Sequence, residues 1–160
     1  MKSHRSLTGF TLIEILIVIA IIAVLVAIAV PQLVKSKSAA NEKGVVSSMR
    51  GIADGQALRL SDKGEFGTLD ELSTEKYADI GAAMTPAAAQ INLDVTFGKA
   101  GYEWTAKTPT KRQTWAMKAK PVQYDTTGKN CFFVDESGVV RFADGADGSF
   151  KADATSPAIR

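Results

Sequence analysis

"GFTLIEILIVIAIIAVLVAIAVP", Gly9 to Pro31, is the stretch that decides how this chain is built. From Phe10 to Val30 there are 21 residues, of which only Thr11 and Glu14 are polar. As a helix rising 1.5 Å per residue they span roughly 30 Å, the thickness of a bilayer core. The run is fit to sit in lipid, yet it carries a carboxylate near its beginning. A glycine also marks the point where the charged head of the chain gives way to it.

Three roles fit these facts. In the first, the run is a secretory signal peptide, with Lys2 and Arg5 as its charged head and Ala27–Ala29 as a small-x-small cleavage site before Val30. The apolar stretch is longer than the usual run of about 7–15 residues, and Glu14 lies inside it. In the second, it is an uncleaved single-pass anchor whose Glu14 reaches interfacial water. A charge at mid-membrane costs about 3 kcal/mol on insertion scales and less near the edge. In the third, cutting between Gly9 and Phe10 liberates an α-amino group one turn from Glu14, or within reach of the Glu14 of a staggered neighbour. Glycine suits such a cut because it offers no side chain to obstruct a protease. At low dielectric an amine and a carboxylate attract strongly, and either one left alone is costly.

"GFTLIE", Gly9 to Glu14, followed by the apolar run and Pro31, resembles the N-terminal motif of type IV pilins and pseudopilins. The resemblance implies a membrane peptidase that cuts after Gly9 and methylates Phe10. Glu14 would then be the fifth mature residue and Pro31 the twenty-second, the place of the family's helix-bending proline. It also implies an α+β fold, in which a long helix leaves its apolar half protruding and packs its amphipathic half on an antiparallel sheet. The implied life history is a single-pass inner-membrane precursor that becomes an extracellular pilus. Its partners would be other copies of itself, prepilin peptidase and the inner-membrane assembly machinery. A pseudopilin of a type II secretion system is the alternative within the family. Outside the family, an exported binding domain on a signal peptide or ordinary anchor remains. The chain departs from many pilins in having no glycine between Phe10 and Lys43.

Charge and composition narrow the field further. The net charge of +2 belongs to the head of the chain, because removing the first nine residues leaves 17 basic and 17 acidic side chains. That balance lacks the basic footprint of a nucleic-acid binder. It suits a membrane-insertion signal, although Lys35, Lys37 and Lys43 on the far side reduce the asymmetry. His4 is the only histidine and Cys131 the only cysteine. A chain shortened at Gly9 loses Ser-His-Asp and Cys-His catalysis and the usual zinc sites. No enzyme is expected.

The expected organisation is a leader over 1–9, an apolar half-helix over 10–34 and a head over 35–160. Within the head, a helix over 35–60 precedes a linker over 61–90, a sheet over 91–143 and a mobile tail over 144–160. Val45, Met49, Ile52, Ala53, Gln56, Ala57 and Leu60 recur at helical spacing and form the expected core face, while Lys43, Ser47, Arg50, Asp54 and Arg59 point elsewhere. Pro31 should bend the helix. Thr68 with Glu71 reads as a capping box for a short helix carrying Leu69 and Leu72, and Thr85-Pro86 as a further helical start. "INLDVTF", "YEWTA" and "TWAMKA" alternate as strands, and "NCFFVDESGVVRF" reads as a hairpin turning at Asp135–Gly138, which makes four or five strands. Trp104, Trp115 and Phe133 are expected as packing aromatics and Cys131 as a strand residue. Many type IVa pilins hold a C-terminal loop with two cysteines; one cysteine leaves packing or an ion to do so. Asp144 and Asp147 in "DGADGS" invite calcium, although the stretch lacks the spacing of an EF-hand and suits a turn.

Overall fold

The computed structural model describes residues 10–79, 95–107, 112–149 and 151–159. Two helices come first, α1 (Leu12–Lys63) and α2 (Leu69–Thr74). Five strands follow: β1 (Val95–Lys99), β2 (Tyr102–Lys107), β3 (Ala116–Pro121), β4 (Asn130–Asp135) and β5 (Arg141–Asp144). Each strand pairs antiparallel with the next, so the sheet order equals the chain order. This is the α+β architecture expected from the sequence. The residues up to Val34 and those from Lys35 onward form two compact units.

In the first unit, all sixteen large apolar side chains from Phe10 to Leu33 are at least 50% exposed. A lone chain in water does not keep so large a contiguous apolar surface uncovered. The segment is long and apolar enough to cross a membrane. Pro31 lies inside α1, and helical backbone continues on both sides of it.

In the second unit, Val45, Met49, Ile52, Ala53 and Gln56 of α1 are buried, as their spacing predicts. They pack in one core with Tyr102, Trp104, Met117, Phe132 and Val134 of the sheet. Two expectations for the far end of the helix fail. Ala57 and Leu60 are exposed, and Arg59, expected to face outward, is only 3% exposed. Arg59 lies three residues after Gln56 and seven after Ile52, so it shares their stripe. The chain beyond α1 folds back over that stripe and supplies the groups that make burial tolerable. Arg59 Nε donates to Glu75 Oε2 at 3.0 Å and Nη1 to the Glu65 carbonyl at 3.0 Å. Gln56 donates to the Gly67 carbonyl at 2.7 Å and accepts from its amide at 2.9 Å. Arg112 completes the clamp with 2.8 Å and 3.2 Å contacts to Glu71 and Glu65.

The helix runs three residues past the expected Leu60 and stops at Gly64. This glycine takes φ +75° and donates its amide to the Leu60 carbonyl at 2.9 Å, the arrangement of a left-handed helix terminus. The Thr68–Glu71 capping box then forms as predicted, and Leu69 and Leu72 are buried. Thr85-Pro86 and Ile91–Asp94 of the first expected strand lie outside the described residues. The remainder of that strand is β1, and Ala100 and Gly101, both at positive φ, turn it into β2.

Alternation holds in β3, where Met117 and Ala119 are buried, and Trp115 just before it continues the pattern. It fails in β4, where Cys131 through Val134 are all buried. Phe132 and Val134 join the main core, whereas Cys131 and Phe133 form a smaller cluster with Ala152 on the opposite face. The reason is the C-terminal segment, which the sequence led us to expect as a mobile tail. Phe142 donates to the Pro157 carbonyl at 3.0 Å and Ile159 to the Val140 carbonyl at 2.8 Å, with a bridge between Arg141 and Ala158. The tail therefore extends the sheet edge and closes the second face of β4. With one cysteine in the chain, hydrogen bonds and packing hold what a disulfide would otherwise tie.

Candidate functional site

The start of α1 carries the chemistry singled out in the sequence. Gly9 lies outside the described residues. Phe10 is 82% exposed and precedes the first helical residue by two positions. Thr11 is the cap. Its backbone amide and its Oγ1 both donate to Glu14 Oε2 at 2.8 Å, and the Glu14 amide reaches back to Thr11 Oγ1 at 3.3 Å. This is a reciprocal capping box, the same device as Thr68 with Glu71. It satisfies backbone donors that would otherwise be orphaned at a helix start, which matters most where no water is available.

Sequence reasoning missed Thr11 as a functional residue, although Thr-x-x-Glu before an apolar run is the signal that finds such a box. Its consequence for Glu14 is specific. Both bonds use Oε2, and among the described residues Oε1 has no partner. The carboxylate is fixed in direction by its own helix, with one oxygen unspent.

The other candidates are structural. Trp104, Trp115 and Phe133 are at most 7% exposed, and Lys118 Nζ stands 5.7 Å from the Phe133 ring centroid. Cys131 is buried, its Sγ donates to the Ser149 carbonyl at 3.2 Å, and burial pushes its thiol up. In the loop Asp144–Ser149, Asp144 Oδ1 accepts from the Ala146 amide at 3.0 Å. Asp147 accepts from the Ser149 hydroxyl at 2.8 Å and pairs with Lys151 at 2.8 Å. The Lys151 ammonium, with the Ser149 donors, holds the Asp147 carboxyl at about 2. Both aspartates accept hydrogen bonds within their own turns, as Asp commonly does. Among the described residues no three His, Cys, Asp or Glu side chains gather as a metal site.

Residues 5–30 match the family described as the prokaryotic N-terminal methylation motif. The chain is also similar to the type IV wide pilus major component PilA4 of Thermus thermophilus, with 31% identity over 112 residues. That alignment covers 67% of this chain and 86% of the relative. This protein belongs to the type IV pilin family. Among pilins, its capped helix start, uncovered apolar half-helix and helix-on-sheet head are the parts that a filament subunit requires.

Proposed function

We propose that this pilin is a structural, non-enzymatic subunit of a type IV pilus. It is held in the inner membrane as a single-pass precursor, cut by prepilin peptidase after Gly9 and methylated on Phe10. It then polymerises through its N-terminal helix into a cell-surface filament, with the assembly machinery of the inner membrane as its partner. The observation that carries this reading is Glu14, a half-satisfied carboxylate in an otherwise apolar, uncovered helix.

The Phe10 amine of an adjacent copy is the natural cation for Oε1. That pair forms only after cleavage, so proteolysis and assembly are coupled: the uncut precursor has no charge to offer. Within the apolar helix Pro31 cannot donate to the Ala27 carbonyl, so α1 yields there if it yields anywhere along the membrane half.

Mass spectrometry of filaments sheared from cells tests the cut. A mature chain beginning at methylated Phe10 is expected, and one beginning at Met1 or Val30 overturns the reading. Glu14→Gln keeps the capping acceptor and removes the charge. It is expected to process normally and assemble poorly, and filaments at parental yield would exclude the pairing.

A further inference from the structure

One groove in the head opens at the margin of the core, on residues the helix start does not use. It lies beside α1, with an open volume of about 960 Å³. Val46, Phe142 and Ile159, each partly buried against the core, give it apolar surface. Glu42, Lys43, Arg50 and Asp54 give it a charged border. Glu42 is occupied by the Lys129 and Asn130 amides at 2.7 Å and 3.2 Å. Lys43, Arg50 and Asp54 make no ion pair among the described residues. Gly51, on the same wall, has nothing within 4 Å of where a Cβ would stand, so the head's own packing does not explain the missing side chain.

The rest of the head displays little apolar surface that could fill such a groove. Among its described residues the exposed large hydrophobics are Leu58 and Leu60 on α1, and Val122 and Tyr124 in the loop joining β3 to β4. Val122 is the most exposed of them at 68%. Its loop is stiff. The Val122 amide donates to the Gly101 carbonyl at 3.0 Å, the Thr127 amide to the Gln123 carbonyl at 2.9 Å, and Asn41 to the Thr127 carbonyl at 2.9 Å. A rigid loop loses little freedom when its apolar tip is buried.

Resting on the filament reading above, we propose that this groove receives the Val122–Tyr124 tip of a neighbouring copy. A pilus is built from copies of its subunit, and this chain is similar to a pilus major component, so a second copy is the partner at hand. Tip and groove are different surfaces of one chain, so the contact is heterologous and does not close on itself, as an open filament requires. A neighbour's apolar half-helix is the poorer occupant. It would seal Lys43, Arg50 and Asp54 against aliphatic side chains, where unpaired charge is costly. The loop brings polar backbone and the Asp125–Lys129 pair, 3.0 Å apart, to the border with the apolar tip at the centre.

The test uses the full chain in cells that make filaments. Val122→Cys combined with Ser47→Cys, the latter on the groove's α1 wall, is expected to give, on oxidation of sheared filaments, a ladder of covalent multimers. Each single variant gives none beyond a dimer, which also controls for the native Cys131. Filaments without the ladder overturn the groove contact and leave the filament reading intact. A ladder from Ser47→Cys with Ile21→Cys instead assigns the groove to the neighbour's apolar helix and overturns the proposal. Val122→Asp is expected to lower filament yield at least tenfold while the unfolding temperature of the detergent-solubilised subunit stays unchanged; parental yield overturns the proposal. If the parent chain forms no filaments, the filament reading falls and the groove contact with it.

Discussion

At Gly55 and Gly51, four residues apart on α1, the surroundings dictate opposite responses to the same substitution. A Cβ at Gly55 would stand 2.8 Å from both the Tyr77 carbonyl oxygen and the Ala78 Cβ, and the backbone oxygen cannot swing aside. Gly55→Ala is expected to destabilise by about 1–3 kcal/mol through overpacking. Gly51→Ala meets open space and is expected to stabilise the isolated subunit by up to about 1 kcal/mol through helix propensity. Thermal unfolding of the detergent-solubilised chain reads both. At this scale the sequence was legible wherever partners are local. Thr68 with Glu71 was read as a box and closes as one; Thr11 with Glu14 is the same four-residue pattern, closes likewise, and was legible but passed over. Arg59 was not legible, because the carboxylates that admit it to the interior come from residues after the helix ends, and helical spacing carries no information about them.

The segment from Gly64 to Ala78 is an element held by charge as much as by packing, and pH should act on it first. Burial pushes the Glu71 carboxyl up, but the Thr68 amide and the Arg112 guanidinium outweigh it and hold it below its ordinary 4.5. The Lys63 ammonium, aided by Arg59, holds Glu75 below the same value despite some desolvation. Carboxyls depressed in the folded state contribute stability above the unfolded value and lose it as pH falls through the folded one. The clamp on Arg59 is therefore expected to loosen from about pH 4.5 downward, seen as faster amide exchange at Phe66–Tyr77 while the sheet stays protected. Glu71→Gln should flatten that profile; an unchanged profile would assign the acid response elsewhere. Strand by strand, alternation located β3 correctly, whereas β4 was found through its hairpin and shows no alternation. Alternation reports one buried face, and β4 has two because the tail covers the second.

For the molecule as a whole, the two compact units predict different solution behaviour. A fragment of residues 35–160 retains every described core residue and is expected to be monodisperse in buffer without detergent, unfolding near the temperature of the full chain. The full chain is expected to aggregate when detergent is removed, because its apolar half-helix is then the largest uncovered surface. Size-exclusion chromatography separates the two outcomes, and aggregation of the fragment would relocate the sticky surface to the head. The division at the end of the apolar run was readable from composition alone. The tail's docking was not, since Ser, Ala, Asp and Pro make a weak local signal and the partners lie along β5.

The seal over Cys131 makes the lone sulfur a reporter. Its thiol sits under Ala152 at 1% exposure, so a small maleimide can reach it only when the C-terminal segment lifts. Labelling kinetics would then clock that lifting in subunits and in fibres alike, with Ala152→Glu as the fast standard and the parent chain as the slow one.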